Sequence, residues 1–163
     1  MRFQQTLARA IFLNILLLPC LALLPGCASF QSAWAKASAK PIDANGVEGC
    51  WDGTWRSDVN GHQGSLRCIV SRRKDGVCDA RFHAIYRKVI GFSYTVPLRT
   101  SETNGGFYFT GTANLGWWAG GLYSYEGRVQ QTNWFSTYSC KYDHGTFQMT
   151  RAYQSDQRPG QGY

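Results

Sequence analysis

From residue 51 onward, apolar and polar side chains alternate in short runs, each ended by a cluster of Gly, Asn, Asp or Ser. The runs cover residues 51–57, 65–71, 77–87, 90–100, 107–115, 122–130, 134–142 and 146–153. Alternation is clearest in the middle of the chain. Cys78, Ala80, Phe82, Ala84 and Tyr86 share one face, while Asp79, Arg81, His83 and Arg87 share the other. Ile90, Phe92, Tyr94, Val96 and Leu98 continue the pattern, as do Phe107, Phe109, Gly111, Ala113 and Leu115. A period of two is the mark of a strand with one buried face. No run carries a convincing helical period.

The connections are short, so successive strands pair as hairpins. The expectation is an all-β chain: a single antiparallel eight-stranded up-and-down meander, closed into a small barrel that leaves no free edge. A barrel of this size is either packed with its own side chains or holds one small ligand. The inward rings Phe82, Phe92, Tyr94, Phe107, Phe109 and Phe147 argue for a filled interior.

In an up-and-down order, connections after odd-numbered strands share one end. The even set, 72–76, 101–106 and 131–133, consists of ordinary polar turns. The odd set holds Asn60-Gly61-His62, Lys88-Val89, a Gly116-to-Gly121 loop with paired Trp, and Asp143-His144-Gly145. His62, Trp117, Trp118, Asp143 and His144 are therefore candidate ligand-binding residues on one rim. Indole faces stack on sugars or enter a membrane interface, which makes cell-envelope glycan or a membrane surface the candidate partners. Against this, the Trp pair can fold back as a lid, and His62 and His144 can serve their own turns. His62 with Asp58, Asp143 or His144 would form an acid–base pair in an alternative reading as a small hydrolase or lyase.

The chain of 163 residues is 15% aromatic and only 17% charged, which suits aromatic β packing better than a helical bundle. It contains no G-x-S-x-G, H-E-x-x-H, phosphate-binding loop or C-x-x-C. No catalytic residue, metal ligand or cofactor is assigned, and the leading reading is a non-catalytic binding or envelope scaffold protein.

Arg2, Arg9 and the apolar run over 10–24 read as an export signal. Leu24-Pro25-Gly26-Cys27 resembles a lipobox, with Cys27 lipidated as the new N-terminus; cleavage after Ala35, at Ala33-Trp34-Ala35, is the rival. Residues 27–48 then read as a flexible tether, 49–153 as the barrel and 154–163 as a disordered tail. The expected location is the cell envelope or periplasm, or outside the cell after cleavage at Ala35. The net charge is +7 from 17 basic and 10 acidic residues; losing Arg2 and Arg9 with the signal leaves 15 against 10, or +5. Outside the cytosol the anionic partners at hand are envelope lipids, lipopolysaccharide or acidic glycans, not nucleic acid, but simple solubility accounts for this balance better. Cys50, Cys68, Cys78 and Cys140 remain for an oxidising compartment. Cys68 and Cys78 flank the second connection symmetrically about Arg73 and form a candidate disulfide, whereas Cys50 and Cys140 fall toward opposite ends.

Gly53-Thr54-Trp55, near the start of the meander, resembles the Gly-x-Trp opening of calycin-type barrels, the lipocalins and avidins. The resemblance implies that this Trp plugs one end of the barrel, and it raises a third reading, a carrier of a small apolar ligand. No counterpart of either family's ligand residues is present. The wider pattern Gly49-x-Trp51-x-Gly53-x-Trp55, Gly61-His62-x-Gly64 and Gly145-x-Phe147-x-Met149-x-Arg151 is similar to exported bacterial proteins without assigned function.

Overall fold

The eight alternating runs all become strands: β1 (Gly49–Ser57), β2 (Gln63–Arg72), β3 (Cys78–Tyr86), β4 (Ile90–Thr103), β5 (Gly106–Asn114), β6 (Leu122–Gln130), β7 (Asn133–Ser139) and β8 (His144–Arg151). This computed structural model describes residues 25–41, 43 and 46–152, with side chains described from residue 29. Each strand pairs antiparallel with its successor, and β8 returns to β1, with Trp51 opposite Arg151 and Gly53 opposite Met149. The result is a closed eight-stranded barrel. β7 stops at Ser139, short of the expected 142, because Cys140 N–H turns back onto the Asp143 carbonyl at 2.8 Å.

One end of the barrel is filled. Trp51 packs on Trp134 with ring centroids 5.5 Å apart, and Phe109 lies 4.4 Å from Trp134. Trp51 Nε1–H donates to the Val47 carbonyl at 3.1 Å. The Arg151 guanidinium covers the Trp51 ring at 4.2 Å and donates to the carbonyls of Glu48, at 2.6 Å, and Gly46. The floor tryptophan is therefore Trp51, in Gly49-Cys50-Trp51, and not Trp55 as the Gly-x-Trp match implied. Both face inward, but Trp55 lies four residues further along β1, about 13 Å on. There it is half-buried, and its Nε1–H donates to the Ile85 carbonyl at 3.3 Å. Gly53 separates the two. A Cβ at that position would lie 2.0 Å from the Gln148 carbonyl oxygen, so the seam between β1 and β8 closes only over a glycine.

The expected tether carries a helix, α1 (Pro25–Ser38), which packs on the outer wall against β1 and β4. The stretch is rich in Ala and sets Phe30 and Trp34 four residues apart, so both rings fall on one helical face. Phe30 is fully buried and stacks on His83 at 4.8 Å, with Arg81 over its ring at 5.5 Å. Trp34 receives Arg67 at 5.0 Å. His83 does point outward from β3, but the helix covers it, and its Nδ1 lies 2.8 Å from Ser93 Oγ. Burial, reinforced by Arg67 and Arg81, pulls the His83 pKa below its ordinary value. Residues 1–24 of the expected 1–26 signal, the Cys27 side chain and the expected tail beyond 153 lie outside the described residues.

The expected Cys68–Cys78 bond does not form. The hairpin pairs Arg72 with Cys78 and Cys68 with Phe82, so the two thiols are offset by four residues along the ladder. That offset is about 13 Å, whereas a disulfide needs a Cα separation of roughly 4.4–6.8 Å. Residues 73–77 form the loop, so the hairpin is centred on Asp75, not on Arg73. Cys50, Cys68, Cys78 and Cys140 are all free thiols.

Candidate functional site

The second end of the barrel is open. The four odd-numbered connections surround it, and inside them lies a cavity of about 320 Å³. This volume corresponds to about ten waters and falls in the range of small-ligand sites. A filled interior was expected, yet only the half nearest Trp51 is filled. In the other half the rings form a connected series, and Phe82 on β3 reaches Tyr94, Tyr125 and Phe147 at 5.4, 6.2 and 5.4 Å. Centroid separations run 5.6 Å for Phe92–Tyr94, 6.4 Å for Tyr94–Tyr125 and 6.2 Å for Tyr125–Tyr123. The series continues at 6.1 Å for Tyr123–Tyr138 and 5.0 Å for Tyr138–Phe147. The small Ala84, inward on β3, leaves room in front of them.

The polar equipment of this cup is sparse and convergent. Among the described residues, Asp143 is the one carboxylate on its lining, and no Lys or Arg lines it. The Asp143 carboxylate accepts from Ser57 Oγ at 2.6 Å through Oδ1 and from the Tyr138 hydroxyl at 3.1 Å through Oδ2. Ser57 is buried at the end of β1, and Tyr138 is buried on β7. These donors fix the side chain while leaving lone pairs of the carboxylate for a further donor. The phenols around it are kept protonated. Burial pushes the Tyr138 pKa upward, and the neighbouring Asp143 charge adds to the effect. Burial likewise raises Tyr123, Tyr125 and Tyr94, the last of which is hydrogen-bonded to Tyr125.

All five rim residues lie at this end, but only three meet at the cup. His62, Trp118 and Asp143 line it. His62 N–H donates to Asn60 Oδ1 at 2.9 Å, and its ring lies 5.0 Å from Tyr86. Trp118 borders the mouth while remaining 71% exposed, so it does not close the barrel as a lid. Trp117, 91% exposed, stands away from the cavity, and His144 is exposed at the start of β8. The Asp143 carboxylate is taken up by Ser57 and Tyr138, whereas the His62 ring packs on Tyr86.

The Trp-bearing loop has a built shape. Gly116, Gly120 and Gly121 all adopt positive φ, a conformation that glycine takes without strain. Leu115 N–H bonds to the Gly121 carbonyl and Gly121 N–H to the Gly116 carbonyl, each at 2.9 Å, around a 3-10 turn over Trp117–Ala119.

Sequence reasoning missed Ser57, Tyr138, Trp55 and Tyr86 as parts of the site. The signals that could have found them are alternation in the seventh run, which sets Tyr138 on the same face as Trp134 and Ser136, and the end of the first run, where Ser57 shares a face with Trp55. Comparisons with protein-family models, with curated proteins and with solved structures find nothing that matches this chain.

Proposed function

We propose that this is an exported, non-catalytic binding barrel that holds one small, mainly apolar molecule in its open half. The carrying observation is the cavity of about 320 Å³ with an aromatic wall and one anchored carboxylate. Stacked rings supply apolar area and π faces. Asp143, the one carboxylate among the described residues of the lining, favours a ligand whose polar end donates a hydrogen bond or carries a positive charge. On this reading the chain is calycin-like in its closed eight-stranded barrel, with Trp51 as the floor beneath the ligand. The docked helix favours a mature chain that begins at Cys27 over one cleaved after Ala35. The shorter form would lose Phe30 and Trp34 and uncover the outer wall at His83.

The test uses N-phenyl-1-naphthylamine, an apolar aromatic amine that becomes fluorescent on desolvation. The wild-type chain is expected to bind it at one site. Ala84→Phe, which fills the cup, should abolish binding with the strand circular-dichroism signal retained. Asp143→Asn, which changes no volume, should weaken binding about tenfold, the loss of one hydrogen bond to a charged group. Unchanged binding by both variants, or no binding by the wild type, overturns the reading.

A further inference from the structure

The open end is apolar on its outside as well as in its cup. Among the described residues ten large apolar side chains are exposed, and eight of them belong to this end; Tyr108 and Phe135 are the two exceptions. Each of the four connections contributes at least one. Val59 follows β1, Val89 follows β3, Trp117 follows β5 and Tyr142 follows β7, with exposures of 54%, 81%, 91% and 67%. None of these four lines the cup. The connections at the opposite end, 73–77, 104–105 and 131–132, carry no exposed large apolar side chain. Apolar side chains scattered singly over a surface need no explanation, but a cluster at one pole does.

The tips are held in place. Arg87 and Lys88 have φ of 49° and 65°, and Val89 N–H bonds to the Tyr86 carbonyl at 3.3 Å, a tight turn with both central residues left-handed. The Trp117 loop has the glycine-built brace described above. Cations stand beside the apolar tips. Arg87 and Lys88 precede Val89, and Lys141 Nζ lies 5.1 Å from the Tyr142 ring. Of the acids on these connections, Asp58 is exposed and Asp143 is turned into the cup.

We infer that the open end is a docking surface for an anionic lipid bilayer. Val59, Val89, Trp117 and Tyr142 enter the headgroup layer, Arg87, Lys88 and Lys141 meet lipid phosphates, and the cup opens onto the membrane. Trp and Tyr favour that depth, where the ring is buried and its polar atom stays wet. Basic residues beside them add attraction to anionic lipid. The geometry favours lipid over protein as the occupant. The four tips ring an opening instead of forming a continuous patch, and a fluid interface can receive separate protruding side chains. This docking stands independently of what the cup holds.

The experiment uses the full chain with phosphatidylcholine vesicles, with and without phosphatidylglycerol, and with bromine-labelled lipid as a quencher of tryptophan emission. Wild-type emission should shift to the blue and be quenched in the phosphatidylglycerol vesicles. Val89→Ser/Trp117→Ser/Tyr142→Ser should lose the shift and most of the quenching. Trp117→Ser alone should lose part of both, and it serves as the readout if the triple variant fails to fold. Lys88→Ser and Lys141→Ser should each weaken binding about fivefold on phosphatidylglycerol vesicles only. Quenching that is the same in the wild type and both Trp117 variants overturns the inference, even if another segment keeps the chain on the vesicle. A dimer in sedimentation that the triple variant dissolves, without any lipid quenching, overturns it in favour of a second copy. Retention on purified cell-wall glycan that Trp117→Ser abolishes, again without quenching, overturns it in favour of a sugar ligand.

Discussion

Arg151→Ala should open the floor of the barrel. The Arg151 side chain is 4% exposed, lies 4.2 Å over Trp51, and donates to the carbonyls of Gly46 and Glu48. It thus ties the segment before β1 to the last strand. A hydrogen bond from a charged group contributes about 1.5–3 kcal/mol, and a desolvated cation on an indole contributes up to about 2 kcal/mol. Against these stands the cost of burying the guanidinium, several kcal/mol, which the variant no longer bears. The balance is a loss of about 3 kcal/mol, because truncation also leaves a gap beside Trp51 and two carbonyls short of a donor. For a domain of this size that is a Tm lower by roughly 10 °C or more. Arg151→Lys keeps the charge, but a compact ammonium cannot serve both carbonyls and cover the ring, so it should fall between the two. Urea unfolding followed by tryptophan emission measures the difference, with Trp51 and Trp134 reporting the floor. An Arg151→Ala variant within about 1 kcal/mol of wild type would refute the argument.

Gly53→Ala forces a Cβ against the Gln148 backbone and should destabilise the barrel by about 1–3 kcal/mol, the usual cost of overpacking; an unchanged thermal midpoint would count against the tight β1–β8 seam. Alkaline pH should destabilise the fold. Burial pushes Cys50 up to about 11 and raises Cys68, Cys78 and the tyrosines of the cup, so the unfolded chain releases protons first. Stability present below pH 9 should decline through pH 9 and 10, and a flat urea midpoint across that range would contradict this. Acid should act on the outer wall. His83 has a lowered pKa, so as pH falls through 6.5 the unfolded state takes up its proton first and stability drops. Its imidazole should titrate below 6.5 by NMR, and Phe30→Ala should bring it back toward that value by opening it to water; an unmoved titration would show that the helix does not desolvate it.

Much of this molecule was legible in the order of its side chains. Alternation identified the inward face of the third, fourth and fifth strands, because a pleated chain has only two faces and one of them must be dry. Short connections made the meander unavoidable and so sorted the loops into two poles, which brought His62, Trp118 and Asp143 to one end before any coordinates. What alternation does not encode is depth along the barrel axis. Trp51 and Trp55 are equivalent by parity, and only closure onto Arg151 and Trp134 made the first the floor and the second a wall of the cup. Register was likewise beyond the spacing of Cys68 and Cys78, since the turn conformation over 73–77 fixes which residues face each other. The helix on the outer wall depends on a surface that exists only once β1 to β4 are assembled, with His83, Arg67 and Arg81 side by side. The cup itself is a packing outcome, because a count of inward rings does not say how they arrange themselves once the barrel closes. Ser57 and Asp143, 86 residues apart, meet because β8 closes on β1. Local sequence specified the strands, and closure decided which side chains became neighbours.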